Sequence, residues 1–590
     1  MLLSPRWGIS ISTCALLLSV VLTCTSQCSA RRYNGRPNAN FMRPPTVPPV
    51  EAPRANLPVV SKNGVLLPPY STIYYFDQLI DHNRPALGTF KQRYWFTHEF
   101  YEPGGPIILY TPGEWNAQIY TGFLTNATLP GMIAQQENGA NIVLEHRFYG
   151  LSNPYPDLTA ESFRVHTIQQ AIDDLVYFAR NVELPMLNGD KVTPDQAPWI
   201  LVGGSYAEAL SDIIVFFLHQ SLPVSTQSKP GVFFAGYSSS GVVQATLDYW
   251  EYFEPIRQAM PQNCSADVQR VVEHLDDVFR SGNQSAIEDV KANFGLSELA
   301  KMEDVLSALR NNLWDWQELQ PGSGPGTEFY RFCDALEVKD GVSAPAEGWG
   351  LEHALEAWGL YWRTRYYFQL CGFDDPETCL GTTNTALDYW SDTSVDNAWR
   401  SWFWIVCNEV GYLQNGAPAD RPSLVSRLIQ PPYDLNMCQL MFPTAFSKTP
   451  TPRTDVINQK YKGWNVRVDR VIFVDGARDP WRDTGLSARI RTPHVRGRTL
   501  QPIYLTNGFH CSDLQLKGAV DPTIAYARKQ TLQHFNRWLK TFRPRPVWPP
   551  RPIRPFPPIT IVPRPPVPKP RVWKQLVGGW FGGLQNRRRV

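Results

Sequence analysis

The sequence predicts an α/β fold in which a parallel sheet is begun, interrupted by a long helical insertion and then resumed. Three observations carry this. In the first half of the chain, short apolar runs bounded by turn residues alternate with stretches of helical spacing. A helical, aromatic block holding six of the ten cysteines then runs from 252 to 443. From Val471 the apolar runs return.

Taken in order, Arg6 precedes the mostly apolar stretch 9–22, and Cys28-Ser29-Ala30 supplies the small residues a signal peptidase needs. Residues 1–30 therefore read as a cleaved secretory signal, and the chain as secreted or delivered to a lysosome-like compartment. The apolar run is short for a membrane span, and no later segment is long and apolar enough to cross a bilayer. Residues 31–70, rich in Pro, Arg and Asn without periodicity, read as a flexible leader. The first part of the sheet domain, 71–251, contains 107–110, 141–144, 199–202 and 231–235, each an apolar run expected as a buried strand. Between them, 166–180 places Ile168, Ile172, Leu175, Val176 and Ala179 on one helix face, and 207–218 is a second helical stretch. The insertion 252–443 reads as a helical cap. The second part of the sheet domain, 444–542, offers strands at 471–474 and 500–505 and a last helix at 523–542.

Composition narrows the function classes. With 43% hydrophobic and 19% charged residues and a net charge of +2, nothing points to a nucleic-acid partner. The tail 543–590 differs: it holds eleven Lys or Arg, no acidic residue and prolines throughout. Such a segment cannot pack a core and is expected to be extended, either as a solvated stalk or as a strip that binds an anionic surface. Cys14, Cys24 and Cys28 would leave with the signal, so Cys264, Cys333, Cys371, Cys379, Cys407, Cys438 and Cys511 remain. In an oxidising compartment most should pair, with one left over. No cluster has metal-ligand spacing, and no metal or other cofactor is expected. Asn126, Asn263 and Asn283 open glycosylation sequons.

The chemistry gathers at strand ends. Gly203-Gly204-Ser205-Tyr206-Ala207 follows a buried strand and opens a helix, the setting in which a serine is presented on a strained turn as a nucleophile elbow. Its usual last glycine is replaced by Ala207. Ser238-Ser239-Ser240 also follows a strand, but no helix with small residues opens behind it, and these serines read as turn fillers. In the α/β-hydrolase fold the acid and then the histidine follow the serine, which leaves His494, His510 and His534. His534 lies on the last helix and no strand leads into His494. His510 sits in the loop after 500–505, where a general base belongs. For the acid, Asp475, Asp479 and Asp483 compete after 471–474. Asp475 abuts the strand and Asp483 reads as a surface or capping residue, so Asp479, held by Pro480, is preferred. The Tyr206 backbone N–H is the first oxyanion donor. In the loop Thr111-Pro112-Gly113-Glu114, Pro112 has no N–H, so Gly113 is the candidate for the second.

Several motifs together resemble the serine peptidases of the prolyl carboxypeptidase family, which includes lysosomal dipeptidyl peptidases and fungal acid prolyl endopeptidases. They are Phe76-Asp77-Gln78-Leu79-Ile80-Asp81-His82, Glu145-His146-Arg147-Phe148-Tyr149-Gly150, Gly203-Gly204-Ser205-Tyr206, Asp479-Pro480-Trp481 and Gly508-Phe509-His510. The resemblance runs from about Tyr75 to Phe542. It implies an α/β-hydrolase fold with a helical cap, the triad Ser205, Asp479 and His510, and cleavage of proline-containing peptides on the carboxyl side of proline. It further implies that Trp481 lines the proline pocket and that Cys407 and Cys438 form a disulfide. Glu114 and Ala209 join Trp481 as candidate substrate-binding residues, and Cys511 is the cysteine expected outside the pairs. Glu145, His146 and Arg147 precede the serine and read as a buried network supporting the site. One departure is Glu208, where the family has glycine; its carboxylate suits a helix N-terminus but would oppose an oxyanion if turned toward Ser205. A catalytically impaired binding protein and a lipase or esterase on the same scaffold are the alternative readings.

Overall fold

The computed structural model describes residues 35–36, 58–206, 232–489 and 498–544. At its centre is an eight-stranded sheet. Its strands, numbered in chain order, are β1 Tyr74–Leu79, β2 Thr89–Thr97, β3 Ile107–Thr111, β4 Ala140–Leu144, β5 Trp199–Gly204, β6 Ala235–Ser239, β7 Val471–Gly476 and β8 Ile503–Thr506. Their spatial order is β1-β2-β4-β3-β5-β6-β7-β8. The pairs β1–β2 and β2–β4 are antiparallel and the others parallel. This is the strand order of an α/β-hydrolase.

The central strands are buried on both faces, which is why they read as unbroken apolar runs. Along β3, Ile107 and Leu109 face the core shared with the insertion, while Ile108 and Tyr110 face the opposite core. The first core packs α2 Ile168–Asn181 on the sheet through Ile168, Ile172, Leu175 and Val176. The second core is closed by α1 Leu129–Glu137 and the last helix through Leu129, Ile133, Phe535 and Trp538. Thr167 caps α2 by accepting from the Gln170 N–H.

Between β6 and β7 the chain builds its helical insertion, whose helices include α3 Gln262–Ser281, α4 Glu328–Glu337, α5 Leu351–Tyr361, α6 Ala398–Ile405 and α7 Pro431–Met441. Among the described residues three disulfides form, all of them here: Cys264–Cys333 joins α3 to α4, Cys371–Cys379 closes a short loop, and Cys407–Cys438 ties the segment after α6 to α7. The last helix, α8 Pro522–Leu539, is capped by Asp521 and returns to the sheet.

Two expectations are corrected. Residues 58–70, counted with the flexible leader, form a small antiparallel ladder, Val59–Val60 on Leu66–Leu67, because Val59 and Leu67 find apolar cover. Within the same span Gly35 and Arg36 are buried against the insertion. Ser238 and Ser239 are not turn residues but the end of β6, which starts at Ala235 rather than at 231. The signal (1–30), the helical stretch 207–218, His494 and the tail from 545 lie outside the described residues. Among the described residues no helix is long and apolar enough to cross a membrane.

Candidate active site

Strand β5 ends at Gly204, and Ser205 follows with a φ of 62°, the left-handed region that costs a non-glycine residue energy. Its N–H donates to the Ser239 carbonyl on the neighbouring strand at 2.9 Å, which fixes the turn. The side chain is fully buried and its Oγ has no hydrogen-bond partner.

His510 follows β8 in the loop Asn507-Gly508-Phe509-His510. Its Nδ1 lies 2.9 Å and 3.0 Å from the two carboxylate oxygens of Asp479, which leaves Nε2 facing away, buried and without a partner. Asp479 Oδ1 also accepts from the Trp481 N–H at 2.9 Å. The histidine loop is tied to the serine strand through one carbonyl: Ser239 O, which holds the Ser205 N–H, also accepts from the Cys511 Sγ at 3.4 Å. The Cys511 N–H donates to Ser240 Oγ at 2.9 Å. Strand β7 and this loop approach so closely at Gly476 that a methyl group there would sit 2.5 Å from the Gly508 carbonyl oxygen.

The competitors are accounted for. Asp475 is buried and accepts from the Ser487 N–H, and burial followed by the nearby Asp479 charge pushes it up to about 7. Asp483, read from sequence as a surface or capping residue, is buried and paired with Arg489, whose guanidinium reaches back to it. Ser239 Oγ is committed to Asp513 at 2.8 Å, and Tyr237 OH to the same carboxylate at 2.5 Å. His534 lies on α8 with its ring between Tyr504 and Arg537.

Across the site, the loop after β3 holds Gly113 at a φ of 77° and buries Glu114. Glu114 Oε1 has no partner, and burial pushes this carboxyl well above the usual carboxylate range. Tyr110, Tyr120, Tyr149, Tyr206 and Tyr412 all lie within its electrostatic reach. Behind the elbow, Glu145 is paired with Arg93 at 2.6 Å and Arg147 Nε donates to Asp174 at 2.6 Å. His146 Nδ1 donates to the Arg147 carbonyl at 2.7 Å, and its ring centroid is 6.0 Å from that of Tyr206.

Trp481 is buried in an aromatic nest. It stacks on Tyr249 at 5.6 Å and meets Tyr252 and Tyr412 edge-on. Its Nε1 donates to Gln317 Oε1 at 2.8 Å, which also accepts from Tyr252 OH. Gln317 belongs to the insertion, as do Trp316, whose Nε1 donates to the Arg478 carbonyl, and Gln320, whose side chain donates to the His510 carbonyl at 3.3 Å. This roof was missed in the sequence. Its residues stand more than 160 positions from the loops they touch, and only the local density of aromatics hinted at it.

Of the remaining residues, Glu208 and Ala209 lie outside the described ones. Cys511 is buried and takes no part in a disulfide. Asn126 and Asn283 are exposed, while Asn263 is half-buried and donates to the Ala344 carbonyl. Among the described residues no group of three metal-binding side chains converges.

Residues 78–532 match the sequence family Serine carboxypeptidase S28. The chain is 33% identical over 503 residues to the serine protease vicPb of Bipolaris victoriae, covering 82% of this chain and 91% of that one. It is 34% identical over 422 residues to a probable extracellular serine carboxypeptidase of Arthroderma benhamiae, covering 68% of this chain and 56% of that protein. With the lysosomal Pro-X carboxypeptidase of Pongo abelii the identity is 23% over 499 residues, covering 82% and 90%.

Proposed function

The chain belongs to the Serine carboxypeptidase S28 family and is a serine-type peptidase; from that premise we propose that it cleaves on the carboxyl side of proline, with Ser205, His510 and Asp479 as its triad. The observation that carries the triad is the pairing of His510 Nδ1 with Asp479, which leaves Nε2 and Ser205 Oγ as buried atoms without partners. Buried polar atoms are nearly always bonded, so two such atoms on adjoining loops are poised for a third party.

In this reading, His510 Nε2 takes the hydroxyl proton as Ser205 Oγ attacks the scissile carbonyl carbon. Asp479 holds the imidazolium by its Nδ1–H, and the carbonyl electrons move to an oxygen held by the Tyr206 and Gly113 N–H groups. Collapse of the adduct expels the amine, which takes the proton from Nε2. Water then attacks the acyl-serine with His510 again as base. The Trp481 nest offers a proline ring an apolar, flat-walled pocket, and Glu114 gives the bound peptide a buried polar contact. Three disulfides fit an oxidising compartment, and we propose that the chain is secreted or lysosomal.

The test is labelling of the purified protein by a fluorophosphonate at acidic and neutral pH beside Ser205→Ala, which is expected to lower labelling and peptide turnover about 10⁴-fold or more. Equal labelling of both proteins would overturn the triad. A peptide library with proline at each position is expected to give cuts confined to the bond after proline. Cuts without regard to proline, or turnover of esters alone, would overturn the specificity.

A further inference from the structure

Two residues of the N-terminal leader are built into the helical insertion far from the sheet. Arg36 is fully buried. Its guanidinium donates to three carbonyls at the end of the short helix Pro376–Leu380: Nε to Gly381 at 2.6 Å, Nη2 to Glu377 at 2.9 Å and Nη1 to Cys379 at 3.3 Å. The last carbonyls of a helix have no partners within it, so a planar cation with several donors is suited to them. The rings of Tyr389 and Trp390 cover the guanidinium at 5.1 and 5.4 Å. Burial lowers the pKa of this group, and Tyr389, Asp304 and Glu377 oppose that shift.

Gly35 is fitted as closely. Its N–H donates to the Cys379 carbonyl at 3.1 Å, and a methyl group on its Cα would stand 2.4 Å from Leu380 Cδ2 and 2.8 Å from Leu370 Cδ2. The Gly35 carbonyl accepts from Asn311 Nδ2 at 3.0 Å. Asn311 begins the turn Asn311–Trp314, and the next turn, Asp315–Glu318, carries Trp316 and Gln317 onto the loops of Asp479 and Trp481.

We propose that the insertion carries a dedicated glycyl-arginine socket, filled in cis by Gly35 and Arg36, through which the leader clasps the roof of the active site. The occupant the chemistry demands is a guanidinium, because an ammonium cannot address three carbonyls in one plane, and a glycine before it lets Leu370 and Leu380 pack without shifting. Gly35 and Arg36 are then part of the roof rather than of a spacer. Its effect on activity rests on the peptidase reading; the socket itself does not.

The test uses the full chain carrying Arg36→Ala and a fluorescein-labelled peptide of the leader sequence 33–38. By anisotropy the peptide is expected to bind Arg36→Ala about tenfold or more tightly than the unaltered chain, whose socket is filled, and the peptide bearing lysine in place of the arginine about tenfold more weakly. Equal binding to both chains, no binding to either, or equal binding of the lysine peptide would overturn the socket. Should Arg36→Ala not fold, Arg36→Lys keeps the charge. Its amide exchange is then expected to rise in 311–318 and 376–381 and to stay unchanged in α8, and unchanged exchange throughout would overturn the proposal. Fluorophosphonate labelling of Ser205 in Arg36→Ala should be slower than in the unaltered chain and regain its rate on adding the peptide. A failure to label even the unaltered chain would count against the peptidase reading alone, with anisotropy still judging the socket.

Discussion

Two buried polar clusters meet at Tyr206, and they are bonded in opposite ways. In the first, Glu145 is paired with Arg93 and also accepts from the N–H groups of Ala117 and Leu151 and from Ser152 Oγ. Arg147 beside it is shared among Asp174, Gln170 and the carbonyls of Leu79, Ile80 and Val165. In the second, Ser205 Oγ, His510 Nε2, Glu114 Oε1 and the hydroxyls of Tyr149 and Tyr206 are sealed from solvent with no partner. Leaving one such group unpaired costs about 1–3 kcal/mol. Glu145 and Arg147 keep no side-chain polar atom without a partner, whereas the second group leaves these five open. The paired cluster holds backbone in place; the open one leaves its polar atoms free, as the proposed triad requires.

That contrast can be broken experimentally. The largest effect is expected from Asp479→Asn, which keeps the shape but removes the charge that orients His510, and kcat should fall about 10⁴-fold with the melting temperature little changed. A kcat within tenfold of the unaltered enzyme would place Asp479 with the structural cluster. Glu145→Leu should behave in the reverse manner. It leaves Arg93 buried without its counter-charge and should cost about 3–5 kcal/mol in urea denaturation, while the folded fraction keeps its kcat.

His146 sharpens the comparison through pH. Burial holds it down to about 4, against the raising effects of the Arg147 carbonyl and Asp174. An unfolded histidine takes its proton near 6.5, so the stability this residue contributes is complete above that pH. It is lost as pH falls toward 4, on the order of 3 kcal/mol in all. His146→Gln should flatten the decline measured between pH 7 and pH 4; an unchanged slope would mean the ring is reached by solvent. The smallest effect belongs to Glu114→Gln. Its raised carboxyl is folded in the neutral form, so its contribution is present below the ordinary glutamate range and is lost as pH rises. The glutamine form should therefore be the more stable at pH 7 and no different at pH 4, with a raised KM. A stability loss at pH 7 would show that Glu114 belongs to the paired cluster.

How much of this was legible follows from the range of each interaction. Strands β3, β4, β5 and β7 are buried on both faces, so their apolar runs announced them, and His510 could be placed by chain order and the strand before it. Asp479 could not be separated from its neighbours by residues alone. All three aspartates are buried, Asp475 at the end of β7 and Asp479 and Asp483 in the turns after it, and only the fold decides which side chain turns to the imidazole. The burial of Asp483 was not legible because Arg489, six residues on, folds back onto it at no helical or strand spacing. The roof of Trp316, Gln317 and Gln320 and the socket of Arg36 were invisible because both join segments more than 160 residues apart. An arginine in a proline-rich stretch looks solvated until its three carbonyls are in place.

Gly476 gives the site a mechanical property. Acid and base ride on two separate loops whose spacing is set by a missing methyl group, as a shim sets a bearing. Any side chain at that position would leave Ser205, Asp479 and His510 in the sequence and still push the loop of His510 away from β7. Such a variant would keep all its parts, and lose its alignment.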